Sequence, residues 1–263
     1  MRHVLVTGGS SGIGLAVADL LLERGDRVSL VARDAERLAE AARVLSRGEE
    51  ARAGRIFIVP ADVADGEAVS RAAEEATSRF GVIDALVASA GIVEPAHFLE
   101  QDAAVFDRQI SVNLTGVSNS VRAVVPGMRG KGGRVMIVSS GAGLIGIPGY
   151  SAYCASKFAL RGLAAALRAE MASAGVSVSI CFPPDTLTPQ LERELPLRPP
   201  EAQAMIGRVR PQETAIVARA ILAGMDRGRR EIHFGLTLRL LGYFGPFAAT
   251  YFDLRGGGRS RKG

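Results

Sequence analysis

Residues 4–14 read VLVTGGSSGIG. An apolar, β-branched run passes into a glycine-rich turn and then into the helical periodicity of residues 14–24. Each small residue there has a physical use. Gly8 permits a tight turn, Gly12 lets the backbone approach a pyrophosphate, and Gly14 lets a helix pack closely on the strand. The N–H groups and partial positive charge at the helix start favour phosphate. A glycine turn can be purely structural, but a strand before it and a helix after it point to a dinucleotide. The spacing is G-x-x-x-G-x-G rather than G-x-G-x-x-G.

The same strand–helix alternation continues outward. Strands are expected at 3–7, 27–32, 55–60, 85–88, 134–138 and 176–182. Helical patterns fill 14–24, 34–46, 65–79 and 152–174, with a further helix near 211–226. Alternation at this spacing means βαβ units and a parallel sheet covered on both faces. With right-handed crossovers the expected fold class is α/β, a doubly wound parallel sheet.

The bulk numbers agree. The chain has 263 residues, 48% hydrophobic and 5% aromatic, enough for one large domain with a substantial core. Two cysteines, Cys154 and Cys181, cannot form a disulfide framework and suit a reducing compartment. The formal charge is +5, but it falls to +1 without Arg255, Arg259, Arg261 and Lys262 near the end. A nearly neutral body gives no reason to expect nucleic-acid binding. No cluster suggests a metal. The first strand starts at residue 3 and no long unbroken apolar run follows, so neither a signal peptide nor a membrane span is expected.

The end of the second strand bears on which dinucleotide binds. A carboxylate there would suit the ribose 2′-hydroxyl of NAD. The chain instead has Val31-Ala32-Arg33. Arg33 can pair with a 2′-phosphate, and Ser10 and Ser11 can add hydroxyl contacts, which favours NADPH. The alternative is a solvated Arg33 at a helix start.

Residues 139–160, SSGAGLIGIPGYSAYCASKFAL, carry the second signal. Tyr153 and Lys157 are four apart and share a helix face. A nearby ammonium favours the phenolate, so Tyr153 is expected to act as a proton donor and acceptor near neutral pH. Ser140, at a strand end, can donate to a carbonyl oxygen while Tyr153 protonates it. A Y-x-x-x-K alone arises often by chance; joined to Ser140 and the glycine loop it is specific.

These features together resemble the short-chain dehydrogenase/reductase family over nearly the whole chain. The matching residues are TGGSSGIG (7–14), Asp62-Val63, ASAG (88–91), Asn113 in SVNLTG, Ser140, and Tyr153 with Lys157. The resemblance implies a Rossmann-type fold and places Asp62 and Val63 near the adenine. It implies that Lys157 also binds the nicotinamide ribose and that Asn113 holds a relay water. It extends the cofactor set to Ile13, Ala90, Gly91 and Pro183, together with Tyr153. Ser89 stands where the family usually has Asn, which bears on sheet bracing. Pro183-Pro184 stands where many members have Pro-Gly.

That second departure lies in residues 179–200, SICFPPDTLTPQLERELPLRPP, which hold six of the twelve prolines. The PPDT-x-TP core resembles one subgroup, the 3-ketodihydrosphingosine reductases. The implied activity is NADPH-dependent reduction of the 3-keto group of a long-chain amino ketone. A proline-stiffened loop at the carboxyl edge of the sheet costs less entropy to order over a substrate. The family resemblance implies that Thr186 or Thr188 bonds the nicotinamide carboxamide. Asp185 is a candidate partner for the substrate ammonium; the competing reading is a local turn cap.

Two segments are expected: a catalytic domain at 1–234 with its substrate loop at 183–210, and a hydrophobic segment with a basic tail at 235–263. Residues 234–254 hold six of the fourteen aromatics, broken by Gly235, Gly242, Gly245 and Pro246. This segment either lies in a membrane interface, with the basic tail on anionic lipid, or packs on protein. Residues from 255 onward read as disordered. By resemblance the chain is expected to form a homodimer or homotetramer through 102–125 and 152–174. The expected location is the cytoplasm, with peripheral contact at the cytoplasmic membrane face as the further expectation. The alternatives are reduction of another lipophilic carbonyl (a 3-ketoacyl chain, a steroid or an aldehyde) and, more remotely, a non-catalytic NADP-binding sensor.

Overall fold

The computed structural model describes residues 1–207 and 210–256, the last eleven of these as backbone only. Seven strands form one parallel sheet in the order β3-β2-β1-β4-β5-β6-β7. They are β1 (His3–Thr7), β2 (Arg27–Ala32), β3 (Ile56–Pro60), β4 (Ala85–Ala88), β5 (Arg134–Val138), β6 (Ser177–Phe182) and β7 (Glu231–His233). The order reverses between β1 and β4, which leaves a crevice at their carboxyl ends.

Alternation along the strands sorts the core. Val4, Val6, Val87 and Met136 face α1 (Gly12–Glu23), α2 (Ala35–Ser46) and a later helix, Thr214–Asp226, through Val17, Leu21, Leu38, Val217 and Ile221. Leu5, Leu86, Val135 and Ile137 face the opposite layer, where Ala72, Val121, Leu160 and Ala164 meet them. Between these come α3 (Glu50–Ala53), α4 (Gly66–Phe80), α5 (Ala103–Ile110), α6 (Gly116–Met128) and α7 (Ser151–Met171). Side-chain caps start several helices: Asp34 accepts from Arg37 N at 3.0 Å, and Asp65 accepts from the N–H groups of Glu67 and Ala68.

The expected fold class and six expected strands are present, β3 and β6 each starting one residue late. The departures lie toward the carboxyl end. Much of the stretch expected as a substrate loop at 183–210 is helical. It folds as α8 (Pro189–Glu194), a 3-10 turn (Leu195–Leu197) and α9 (Pro200–Ile206), before α10 (Thr214–Asp226). Pro189 and Pro200 sit in first turns, where the missing N–H costs nothing.

The segment expected to be broken by its glycines and proline is one helix, α11 (Gly235–Gly256). Gly242 and Gly245 are contact points rather than breaks. A Cβ on Gly242 would lie 2.3 Å from His233 Nε2, and one on Gly245 would lie 3.0 Å from the Leu144 carbonyl. Pro246 brings no N–H to the carbonyl of Gly242, four residues back. Arg161 fills that gap: its Nη2 donates to Gly242 O at 2.8 Å, while its Nε donates to Glu231 Oε1 at 2.9 Å. Arg255 and Gly256, read as disordered from sequence, end this helix. Arg259, Arg261 and Lys262 of the expected basic tail lie outside the described residues.

Candidate active site

The carboxyl ends of β1, β4, β5 and β6 open into one cavity of about 580 Å³. One end is lined by Gly8, Ser10, Ser11, Gly12, Ile13 and Arg33, the middle by Asp62, Val63, Ala90 and Gly91. Ser140, Tyr153 and Lys157 lie at the far end, under Pro183, Asp185, Thr186 and Thr188. Of the residues expected at the site, only Gly14 and Asn113 lie off the cavity wall, directly behind it.

The glycine turn fits a pyrophosphate. Gly8 and Gly12 adopt positive φ of 68° and 56°. A Cβ on Gly14 would lie 2.3 Å from the Gly8 carbonyl, so the helix could not sit this close with any larger residue. Ser11 occupies the N-cap of α1 but makes no capping bond with its side chain, which leaves the hydroxyl for a ligand. Arg33 is exposed beside this turn. Arg37, which no sequence pattern singles out, also lines this end. Two guanidinium groups at the ribose end fit a 2′-phosphate, while the carboxylate beside them, Asp34, caps α2 and pairs with Arg37 at 3.4 Å. Asp62 accepts from Ala64 N at 3.0 Å and pairs with Arg108. Burial raises its carboxyl, but the Arg108 and Ala64 bonds outweigh this and hold it below the usual range.

Asn113 sits where the helical run between α5 and α6 widens into a π-helical turn, Ser111–Thr115, a distortion common at functional sites. Fully buried, it accepts from Ile92 N at 2.8 Å and donates to Ile92 O at 2.9 Å and Ser156 Oγ at 3.1 Å. Gly91 faces both Asn113 Oδ1 and Lys157 Nζ: a Cβ there would lie 3.3 and 3.4 Å from them, so any side chain would crowd both.

Lys157 is buried, and its Nζ donates to Val138 O at 3.1 Å. The same nitrogen lies 5.6 Å from the centroid of the Tyr153 ring. Burial pushes the Lys157 ammonium down to about 8. The Tyr153 phenol moves opposite to the sequence expectation. Burial raises it well above its ordinary value, the Glu194 and Asp185 carboxylates add to this, and a Ser140 hydrogen bond only partly opposes them. The Lys157 ammonium, bonded to the Val138 carbonyl, does not offset this burial. The result is a neutral phenol, which is the proton-donating form. Ser140 also caps the short 3-10 turn after β5, accepting from Ala142 N at 3.2 Å.

The proline loop closes over the site. Gly141 N donates to Pro183 O at 2.8 Å, and Thr188 lies against Gly12. Thr188 Oγ1 caps α8 by accepting from Leu191 N at 3.1 Å, which leaves its proton free. Thr186 Oγ1 donates to Pro184 O at 2.8 Å, which leaves its lone pairs free. Asp185, read from sequence as a partner for the substrate ammonium or as a local turn cap, has a side chain paired with a distant arginine. Its Oδ2 accepts from Arg198 Nη1 at 2.8 Å. Arg198 also donates to Glu194 Oε1 at 2.8 Å and to the Tyr150 hydroxyl at 3.1 Å. Tyr150, Glu194 and Arg198 were not legible, because a partnership across 44 or 48 residues leaves no local pattern. The lining also includes apolar Ile145, Ile147, Leu191 and Met205, with Leu238 and Leu241 of α11, beside polar Gln190, Arg193 and Gln212.

Known proteins match this arrangement. A family model described as short chain dehydrogenase matches residues 2–196. The chain is 39% identical to the 3-dehydrosphinganine reductase TSC10B of Arabidopsis thaliana, over 97% of this chain and 75% of that one. It is 33% identical to a 3-ketodihydrosphingosine reductase of Dictyostelium discoideum, covering 96% and 81%. A 3-dehydrosphinganine reductase of Danio rerio is 36% identical, covering 89% and 71%. Among solved structures, levodione reductase superposes with a TM-score of 0.80 at 29% identity, covering 89% of this chain and 95% of that one. An alcohol dehydrogenase from Thermococcus sibiricus, complexed with 5-hydroxy-NADP, gives 0.75 at 25% identity, covering 90% and 96%. With its glycine turn, its Ser140–Tyr153–Lys157 group and these likenesses, the chain belongs to the short chain dehydrogenase family.

Proposed function

We propose that this enzyme reduces the 3-keto group of 3-ketodihydrosphingosine to the alcohol, a step of sphingolipid synthesis. The observation that carries the substrate is the run of relatives at 33–39% identity over most of the chain, each named for that reductase. The cavity supports it independently: beside the polar groups at Ser140 and Tyr153 its lining carries the apolar side chains of Ile145, Ile147, Met205, Leu238 and Leu241. That shape suits a polar head with a long chain.

The cofactor is NADPH, which supplies the hydride. In our reading Arg33 and Arg37 hold the 2′-phosphate, and the turn at Gly8–Gly14 with Ser10 and Ser11 holds the pyrophosphate. Ile13, Val63, Ala90, Gly91 and Pro183 shape the cleft around the rings. Ser140 donates a hydrogen bond to the ketone oxygen. Tyr153 gives that oxygen its proton, and a phenol kept neutral by burial is suited to this task. The phenolate left behind lies near the Lys157 ammonium, which stabilises it. Asn113 holds the elements that position Lys157 and the polypeptide around Gly91.

The wider assembly is also a proposal. The long helices α6 and α7 are the surfaces for subunit contact. Leu236, Leu240, Tyr243 and Phe244 of α11 are exposed, which supports peripheral contact with a lipid surface. Among the described residues no helix is long and apolar enough to cross a membrane.

The test is a substrate panel in detergent micelles: 3-ketodihydrosphingosine, a 3-ketoacyl thioester and a steroid ketone, each with NADPH and with NADH. Dominant turnover of the amino ketone with NADPH is expected. Turnover confined to another carbonyl would leave the fold and the family intact and remove the substrate assignment.

A further inference from the structure

The reductive group sits beside more charge than the reduction of a plain ketone uses. Arg198 has a side chain only 3% exposed and distributes its donors over three partners on the cavity wall. Nη1 holds Asp185 Oδ2 at 2.8 Å, Nη2 holds Glu194 Oε1 at 2.8 Å, and Nε donates to the Tyr150 hydroxyl at 3.1 Å. Tyr150 in turn donates to the same Glu194 Oε1 at 2.7 Å. Two carboxylates and one guanidinium leave a net formal charge of −1. Among the described residues, no hydrogen-bond donor occupies Glu194 Oε2 or Asp185 Oδ1.

Buried charge of this kind is expensive unless something completes it. Arg198 alone would be neutralised by one carboxylate. The second is surplus, and it faces the cavity that holds Tyr153 and Ser140. Its position matters for the ligand. An amino ketone of the proposed class carries an ammonium one carbon from the carbonyl, so a carbonyl at Ser140 and Tyr153 brings that cation to the neighbouring wall. Glu194 is the better recipient of the two. Its side chain is 12% exposed against 25% for Asp185, so less water competes there.

We infer that Glu194, held in place by Arg198 and Tyr150, receives the ammonium group of the substrate and makes the pocket specific for ketones bearing an adjacent amine. Arg198 is a positioning residue: it contacts no reacting atom and fixes the carboxylate that does the recognising. Asp185, the candidate visible in the sequence, anchors Arg198 instead. The inference rests on the amino-ketone reading of the site.

The experiment compares kcat/KM for 3-ketodihydrosphingosine with that for the same-length ketone lacking the amino group, both in micelles with NADPH. The wild-type enzyme is expected to prefer the amino ketone at least tenfold. Glu194→Gln, which keeps the bonds to Tyr150 and Arg198, is expected to reduce that ratio at least tenfold. Arg198→Lys is expected to lower the ratio as well, whereas a merely structural role would lower both rates alike. Asp185→Asn is expected to retain most of the preference. A wild-type ratio near one overturns the inference without any variant and leaves the amino-ketone reading standing. A ratio that survives Glu194→Gln, or falls only in Asp185→Asn, also overturns it. A wild-type enzyme that reduces only the deamino ketone removes the amino-ketone reading itself.

Discussion

The Lys157 nitrogen lies 5.6 Å from the centroid of the Tyr153 ring and donates to the Val138 carbonyl at 3.1 Å. One turn of α7 thus carries a cation tied to strand β5 and a phenol turned toward the cleft. Burial acts on the two in opposite senses, lowering the ammonium and raising the phenol, and both shifts favour neutral groups.

The first prediction follows from the lysine. Its folded value is about 8 against 10.5 ordinarily, so between these values the unfolded chain holds a proton that the folded chain has released. Stability from this group is therefore least below pH 8 and rises as pH climbs toward 10.5. Chemical denaturation of cofactor-free wild type and Lys157→Met should show the wild-type-minus-variant difference growing by about 3 kcal/mol across that window. A difference flat with pH would contradict it.

Arg33 sets the cofactor preference. Removing a charge-assisted phosphate contact costs about 1.5–3 kcal/mol, a factor of roughly 10–100. Arg33→Ala should raise the KM for NADPH by that factor and leave the KM for NADH within about twofold. Equal effects on both cofactors would place Arg33 away from the 2′-phosphate.

Arg161 holds the roof of the cleft. It pairs with Glu231 and supplies the donor that Pro246 denies to the Gly242 carbonyl. Arg161→Leu leaves a carboxylate and a carbonyl without their partner, which should cost about 1–3 kcal/mol of stability. Because Leu238 and Leu241 hang from the same helix, the KM for the long-chain ketone should rise more than the KM for NADPH. An unchanged denaturation midpoint with unchanged KM values would show that α11 is held otherwise.

The fold was legible because its signals are local. A β-branched run such as VLVT before a glycine turn, or YCASK on one helix face, is complete within a few residues. β7 has three residues, Glu231–His233, and carries no period to read. α11 defeated propensity because its apparent breakers meet specific partners: Gly242 meets His233, and Arg161 compensates for Pro246. The site divided along the same line. Gly8, Gly12, Gly14, Asn113, Ser140, Tyr153 and Lys157 were visible, whereas Arg37, Tyr150, Glu194 and Arg198 acquire meaning only from distant neighbours. The direction of the Tyr153 shift was misjudged for that reason. Sequence spacing shows the ammonium, but not the burial and the two carboxylates that raise the phenol.

The most direct test replaces one oxygen atom. Tyr153→Phe keeps the ring over Lys157 and removes the proton donor. NADPH-dependent formation of the amino alcohol from 3-ketodihydrosphingosine should fall in kcat by about 10²–10⁴, with NADPH binding kept within a few-fold. A Tyr153→Phe enzyme that forms the product at the wild-type rate would contradict the assignment of Tyr153 as the acid of this reduction.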